Sequence, residues 1–207
     1  MVLLSELLMR SAETLFPLFT LASGKGHDMA LPKTAFQPSI VAGAYDLRPV
    51  RLSDAGLIAL YTGDLRVAQT TSSIPHPLPP GTTEAFIARC MADARIEDAW
   101  AIDGIRAGVG EVTGVISMTR MDFGHSEIGY WVAPIFWNTG VASAAVTALV
   151  AANPHADRVI FGTVQQGNPA SARVLTNCGF TYLGDAESYC LARGSAVPTW
   201  TYSRKLD

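Results

Sequence analysis

At 207 residues the chain is long enough for one well-cored domain with an appendage, and too short to read as two ordinary domains. With 49% apolar and 16% charged residues it is globular, not disordered, and its formal net charge of −3, without any Lys/Arg-rich run, argues against nucleic acid as a main partner. The three cysteines, Cys90, Cys178 and Cys190, lie in apolar neighbourhoods without metal-ligand spacing, and the four histidines are scattered. This pattern implies reduced thiols in a cytoplasmic protein, with neither a zinc site nor a Cys-His nucleophile.

Residues 1–44 look unlike the remainder and read as an extension and linker. Over residues 2–21, Glu6, Arg10 and Glu13 interrupt the Leu, Met and Phe residues, which argues against a membrane span, and no basic region precedes the leucines as a signal peptide requires. The segment is expected to be a mobile appendage, or to reflect a start upstream of Met29, in preference to an amphipathic docking arm. Ser23-Gly24-Lys25-Gly26 and residues 32–38 follow as linker.

The domain proper, residues 45–207, is expected to open with an edge strand at Asp46-Leu47-Arg48-Pro49-Val50-Arg51, where Pro is tolerated. Ser53-Asp54 supplies helix-start chemistry ahead of Leu57, Ile58, Leu60 and Tyr61. The proline-rich residues 74–81 form a stiff loop around His76. Thr82 or Thr83 then caps a second helix with Phe86, Ile87, Cys90, Met91 and Ala94 on one face. Strands are predicted at Trp100-Ala101-Ile102 and over residues 111–120, with Asp103-Gly104 and Val109-Gly110 as turns.

Glu127-Ile128-Gly129-Tyr130-Trp131-Val132, aromatic and β-branched, reads as a central strand ending against Pro134. From Val141 the sequence turns to Ala, Val and Leu with no charge up to Ala152, the pattern of a helix laid on a sheet and closed by Asn153-Pro154. Between them lies Trp137-Asn138-Thr139-Gly140-Val141-Ala142. There Gly140 and Ala142 let a ligand approach the backbone, and the unpaired N–H groups of the new helix make an anion site suited to a pyrophosphate. Residues 158–164 form the next strand. Asn168 then caps and Pro169 opens a short helix that ends at Gly179, with Phe180 packing beyond it. A closing pair of strands covers residues 181–191 and 198–206.

Two of these stretches resemble the Gcn5-related N-acetyltransferase superfamily, and more narrowly its ribosomal-protein alanine acetyltransferase branch. Glu127-Ile128-Gly129-Tyr130-Trp131 with Trp137, Gly140 and Ala142 matches the E-I-G-Y-W strand and W-G-K-G-x-A turn of that branch. Asn138, Thr139 and Ala144 depart from it, at positions where Gly, Lys and Glu are usual. Asn168-Pro169-Ala170-Ser171-Ala172-Arg173-Val174-Leu175, running on to Gly179-Phe180, is similar to the second signature, N-x-x-S-x-x-V-L-x-x-x-G-F. Strand, turn, helix and second signature in that order are far more specific than either match alone.

The resemblance implies an α/β fold: a mixed, largely antiparallel sheet flanked by helices, with a cleft where two central strands part. It implies transfer of acetyl from acetyl-CoA to a primary amine, no metal, and an early helical pair flanking the acceptor entrance. The acceptor is expected to be a protein N-terminal amine or a small molecule such as a polyamine, antibiotic or amino-acid derivative, and the chain is expected to be a monomer or homodimer with no nucleic-acid or membrane partner. A non-catalytic CoA-binding module is the alternative.

Residues 137–142, that is Trp137, Asn138, Thr139, Gly140, Val141 and Ala142, are the expected donor anchor. The backbone N–H groups of Tyr130, Trp131 and Val132 are the implied oxyanion donors, the side chains of Tyr130 and Trp131 being read as core aromatics. Glu127 is the candidate base, a carboxylate opening an otherwise uncharged strand. Asn168 is a cap that, by the family pattern, also contacts the pantetheine arm. Ser171 is the first candidate to hydrogen-bond the departing sulfur, ranked ahead of Tyr182.

Overall fold

The structure, a computed structural model, describes residues 37–206. The expectations for the amino-terminal arm and for Met29 fall outside the described residues. One sheet carries eight strands in the order β1-β2-β3-β4-β5-β6-β8-β7. They are β1 Ile40–Ala42, β2 Tyr45–Pro49, β3 Glu97–Asp103, β4 Gly114–Met121, β5 His125–Val132, β6 Val159–Gln165, β7 Thr181–Cys190 and β8 Ser195–Lys205. The helices are α1 Ala55–Thr62, α2 Leu65–Ala68, α3 Thr82–Met91, α4 Val141–Ala152 and α5 Pro169–Asn177.

Alternation along the strands divides the core between two faces. On one face Trp100, Ile116, Met118, Ile128 and Val132 pack with Val141, Ala145, Val146 and Leu149 of α4 and with Leu175 of α5. On the other, Ala99, Ala101 and Val115 meet Ile58 of α1 and Ile87 and Cys90 of α3, with Trp131 packed alongside. The three cysteines are free and buried, and burial pushes the Cys90 thiol up to about 12.

Several local expectations are corrected. The segment from Tyr45 is not an edge strand: Ile40 pairs with Leu47 and Ala42 with Tyr45 around a left-handed Gly43, so the boundary expected at residue 45 falls inside a hairpin. Neither Thr82 nor Thr83 caps α3. Gly81, at φ 80°, begins it without a side-chain bond, and Thr83 is buried. Met91 is 52% exposed and Ala94 lies beyond the helix, so the packed face is narrower than the sequence implied. The strand expected from residue 111 starts at Gly114, and the one-turn α2, capped by Asp64, had no counterpart in the expectations.

Neighbouring strands are antiparallel except β5 and β6, which run parallel and are joined by the α4 crossover. Their pairing covers only residues 125–128 against 159–162. Beyond it β5 continues on β4, from Gly129 opposite Ser117 to Val132 opposite Gly114, while β6 continues on β8, from Thr163 opposite Thr201 to Gln165 opposite Thr199. The two strands therefore part at their carboxyl ends, where a parallel pair leaves room for a ligand.

At the opposite end of β5 a buried polar cluster holds the strands together. Asp98 on β3 takes Arg120 at 2.7 Å, His155 Nε2 at 2.7 Å and Arg95, while His155 Nδ1 meets Ser126 Oγ at 2.9 Å. On the outer strands, Arg48 bridges Asp54 at 2.9 Å and Asp103 at 2.8 Å, fixing the turn that leads into α1.

Candidate active site

Both helices that follow the parted strands begin at the opening. The chain leaves β5 at Val132, passes Trp137, and enters α4 through two left-handed residues, Asn138 at φ 61° and Gly140 at φ 86°. Asn is the side chain best able to replace Gly in that conformation, so the departure at Asn138 keeps the shape of the turn. Thr139 Oγ1 donates to Phe136 O at 2.7 Å and closes the preceding bend. The first helical bond of α4 runs from Ala144 N–H to Gly140 O at 3.0 Å. The N–H groups of Val141, Ala142 and Ser143 therefore have no carbonyl within the helix and point out of its positive end. A Cβ built on Gly140 would meet nothing within 4 Å, so space beside the turn is open.

Trp137 is anchored by its indole, whose Nε1–H donates to Val132 O at 2.7 Å. Ala133 N–H donates to Thr113 O at 2.9 Å on the other side. With the alternation of an extended chain, Ala133 and Trp131 address β4, and Tyr130 and Val132 address the opening. The close approach of Gly114, where a Cβ would lie 2.3 Å from Trp131 O, confirms the direction of Trp131. Of the three backbone groups expected as oxyanion donors, only those of Tyr130 and Val132 face the parted side; the Trp131 amide is directed to β4.

Tyr130 does more than pack. Its hydroxyl lies 2.8 Å from Ser171 Oγ and 3.2 Å from Ser171 O, either of which can accept its proton. Burial pushes the Tyr130 phenol up against the opposing pull of the Ser171 hydrogen bond, so it stays protonated. Asn168 caps α5 as expected, its Oδ1 accepting from Ser171 N–H at 3.2 Å. Ser171 does not bond its own helix backbone through its hydroxyl; its side-chain partner is Tyr130.

Glu127 is the third residue of β5, on the face of Gly129 and Trp131 that looks to α1 and α3. It is half-buried, and its Oε1 accepts from Thr163 Oγ1 at 2.8 Å. Tyr182 is not brought to this place. It lies on β7, two strands beyond β6 and about 10 Å further across the sheet. There its hydroxyl donates to Asp185 at 2.8 Å, which raises its pKa, and its ring meets Tyr202 edge-on at 5.8 Å.

Three neighbours of the candidate residues are not expected from the sequence. Thr163 is the one hydroxyl on the otherwise apolar β6 run up to Val164, a signal that was present. The Tyr130 hydroxyl, expected only to sit in the core, bonds Ser171. Arg66, whose guanidinium sits 5.9 Å from the centre of the Trp137 ring and 2.6 Å from Asp64, comes from a helix the sequence did not announce.

A strand pair parted at its carboxyl ends, with a left-handed turn opening a helix beside the gap, is the geometry the two signatures imply, and residues 46–181 match the family described as the acetyltransferase (GNAT) domain. The chain belongs to the GNAT acetyltransferase family. Among solved structures, this GNAT chain is similar to the ribosomal-protein-S5-alanine acetyltransferase of Vibrio fischeri, at 22% identity over 83% of this chain and 98% of that one, TM-score 0.64. It is also similar to Mycobacterium smegmatis RimJ in complex with CoA-disulfide, at 21% identity over 82% and 86%, TM-score 0.65. The spermidine N-acetyltransferase of Vibrio cholerae, in complex with CoA and spermine, matches at 14% identity over 78% and 95%, TM-score 0.66. At these identities the likeness is one of fold. No curated protein matches the chain by sequence.

Proposed function

We propose that this GNAT domain transfers acetyl from acetyl-CoA to a primary amine by direct attack in a ternary complex. The observation that carries the reading is the parting of β5 from β6 beside the free N-terminus of α4. Open space at Gly140 and the unpaired N–H groups of Val141, Ala142 and Ser143 fit a pyrophosphate, which backbone donors and the helix dipole hold without a lysine. The pantetheine arm takes the place of the missing β6 partner along residues 129–132, with Asn168 on its far side.

In that pose the Tyr130 and Val132 N–H groups polarise the thioester oxygen, an effect of order 10²–10³ in rate per donor. The amine nitrogen bonds the thioester carbon and the carbon–sulfur bond breaks. The amine's proton passes to Glu127, directly or through water, and the Ser171 hydroxyl hydrogen-bonds the departing thiolate. For Ser171 to offer its proton outward, the Tyr130 hydroxyl must direct its single proton to Ser171 Oγ within the 2.8 Å pair, in place of Ser171 O at 3.2 Å. Tyr182 has no part in this scheme.

The acceptor class follows less directly from the geometry. The relatives named for ribosomal-protein and spermidine acetylation frame two panels, peptide N-termini and polyamines. The deciding experiment is thiol release from acetyl-CoA with both panels and with amino-acid derivatives. Acetylated product from one class establishes the transferase. A protein that binds acetyl-CoA but releases thiol with no amine is a CoA-binding module instead.

A further inference from the structure

Glu127 and Thr163 lie 36 residues apart in sequence and meet across the point where the central strands separate. Glu127 is in register with Phe161, and the pairing ends one step later at Ile128 and Gly162. Thr163 is thus the first residue of β6 beyond the pairing, on the same face as Phe161 and Glu127. Its hydroxyl reaches back over the divergence to Oε1 at 2.8 Å.

We propose that Thr163 is a positioning residue for Glu127, fixing one carboxylate oxygen so that the other faces the acceptor amine. The inference rests on Glu127 acting as the base. Three features carry it. A glutamate has three side-chain torsions and samples many directions unless one oxygen is held. Next along this face of β5 comes Gly129, which leaves space between Glu127 and Trp131 for an acceptor. And the holder is neutral: Arg or Lys in its place would stabilise the charged carboxylate and weaken it as a proton acceptor, whereas a hydroxyl aims it at lower cost in basicity. The bond also ties the end of the paired segment to the far wall of the cleft, where donor and acceptor must meet.

Thr163 is exposed, so Thr163→Val keeps its shape without emptying a core site. Turnover is compared in the full chain, with acetyl-CoA and the best amine of the panel, for Thr163→Val, Thr163→Ser, Glu127→Gln and the double variant Glu127→Gln/Thr163→Val. Thr163→Val is expected to lower kcat about 10-fold with acetyl-CoA affinity unchanged by calorimetry, Thr163→Ser to stay near wild type, and the double variant to be no slower than Glu127→Gln alone. Wild-type kcat in Thr163→Val, an equal loss in Thr163→Ser, or a Thr163→Val effect that persists in the Glu127→Gln background overturns the positioning role while leaving Glu127 as base. Wild-type turnover of Glu127→Gln overturns the base itself and the inference with it.

Discussion

The Tyr130 hydroxyl stands 2.8 Å from Ser171 Oγ and joins β5, after it has lost β6 as a neighbour, to the first turn of α5. This bond spans the cleft on the face of α4 and α5, as the bond from Thr163 to Glu127 spans it on the other. Tyr130→Phe should fold, lose about 1 kcal/mol of stability, and keep the melting shift given by acetyl-CoA. Its turnover should fall several-fold because Ser171 loses its orienting donor, and adding Tyr130→Phe to Ser171→Ala should change nothing further. Normal turnover in Tyr130→Phe beside a slow Ser171→Ala would reduce Tyr130 to a packing role.

Acetyl-CoA should raise the melting temperature, since a ligand at about 100 times its dissociation constant adds roughly 2.7 kcal/mol to the folded state. Gly140→Asp should abolish that shift. It strains a residue held at φ 86° and sets a negative charge where phosphate oxygens meet the first N–H groups of α4. A wild-type shift in this variant would place the pyrophosphate elsewhere.

What the sequence disclosed was local. The turn at Gly140, the helix over Val141–Ala152 and the Asn168 cap rest on contacts between near neighbours, and they lie where the chain order put them. The short β1 escaped notice because three residues beside a linker carry little pattern, and their strand character comes from pairing with Tyr45, Asp46 and Leu47. The resemblance implies a phenol acid at Tyr182, whereas the sheet order carries that residue two strands beyond β6. The pairs that assemble the candidate site, Tyr130 with Ser171 and Glu127 with Thr163, join residues 41 and 36 positions apart, and only the packing of β5 beside β6 and α5 makes them neighbours.

Stability should depend on Asp98. Burial alone would raise its pKa, but hydrogen bonds from His155 and Arg95, with the charge of Arg120, hold it well below the usual carboxylate range. A depressed folded pKa gives stability that is present above the unfolded value near 4 and is lost as pH falls below it. The melting temperature should therefore decline on acidification below about pH 4. Asp98→Asn should flatten that decline and cost about 3–5 kcal/mol at neutral pH, because it removes the buried anion that Arg95, Arg120 and His155 share. Unchanged stability at pH 7 would show that desolvation cancels the cluster's attraction.

Glu127→Gln should bind acetyl-CoA as the wild type does, yet turn over slowly. The amide keeps the shape of the side chain and can still accept from Thr163 through its carbonyl oxygen, but it cannot take a proton from the amine. General-base assistance is worth roughly 10²–10⁴ in rate, so the defect should be large at neutral pH, where the acceptor is mostly an ammonium ion. It should shrink as pH rises toward the pKa of the amine, near 8 for a peptide N-terminus and near 10 for a polyamine, because free base then forms without help. The pH at which the defect closes thus reports on the acceptor as well as on the residue. A defect of constant size at every pH would make Glu127 a group that positions the amine by hydrogen bonding, since such a role does not depend on who removes the proton.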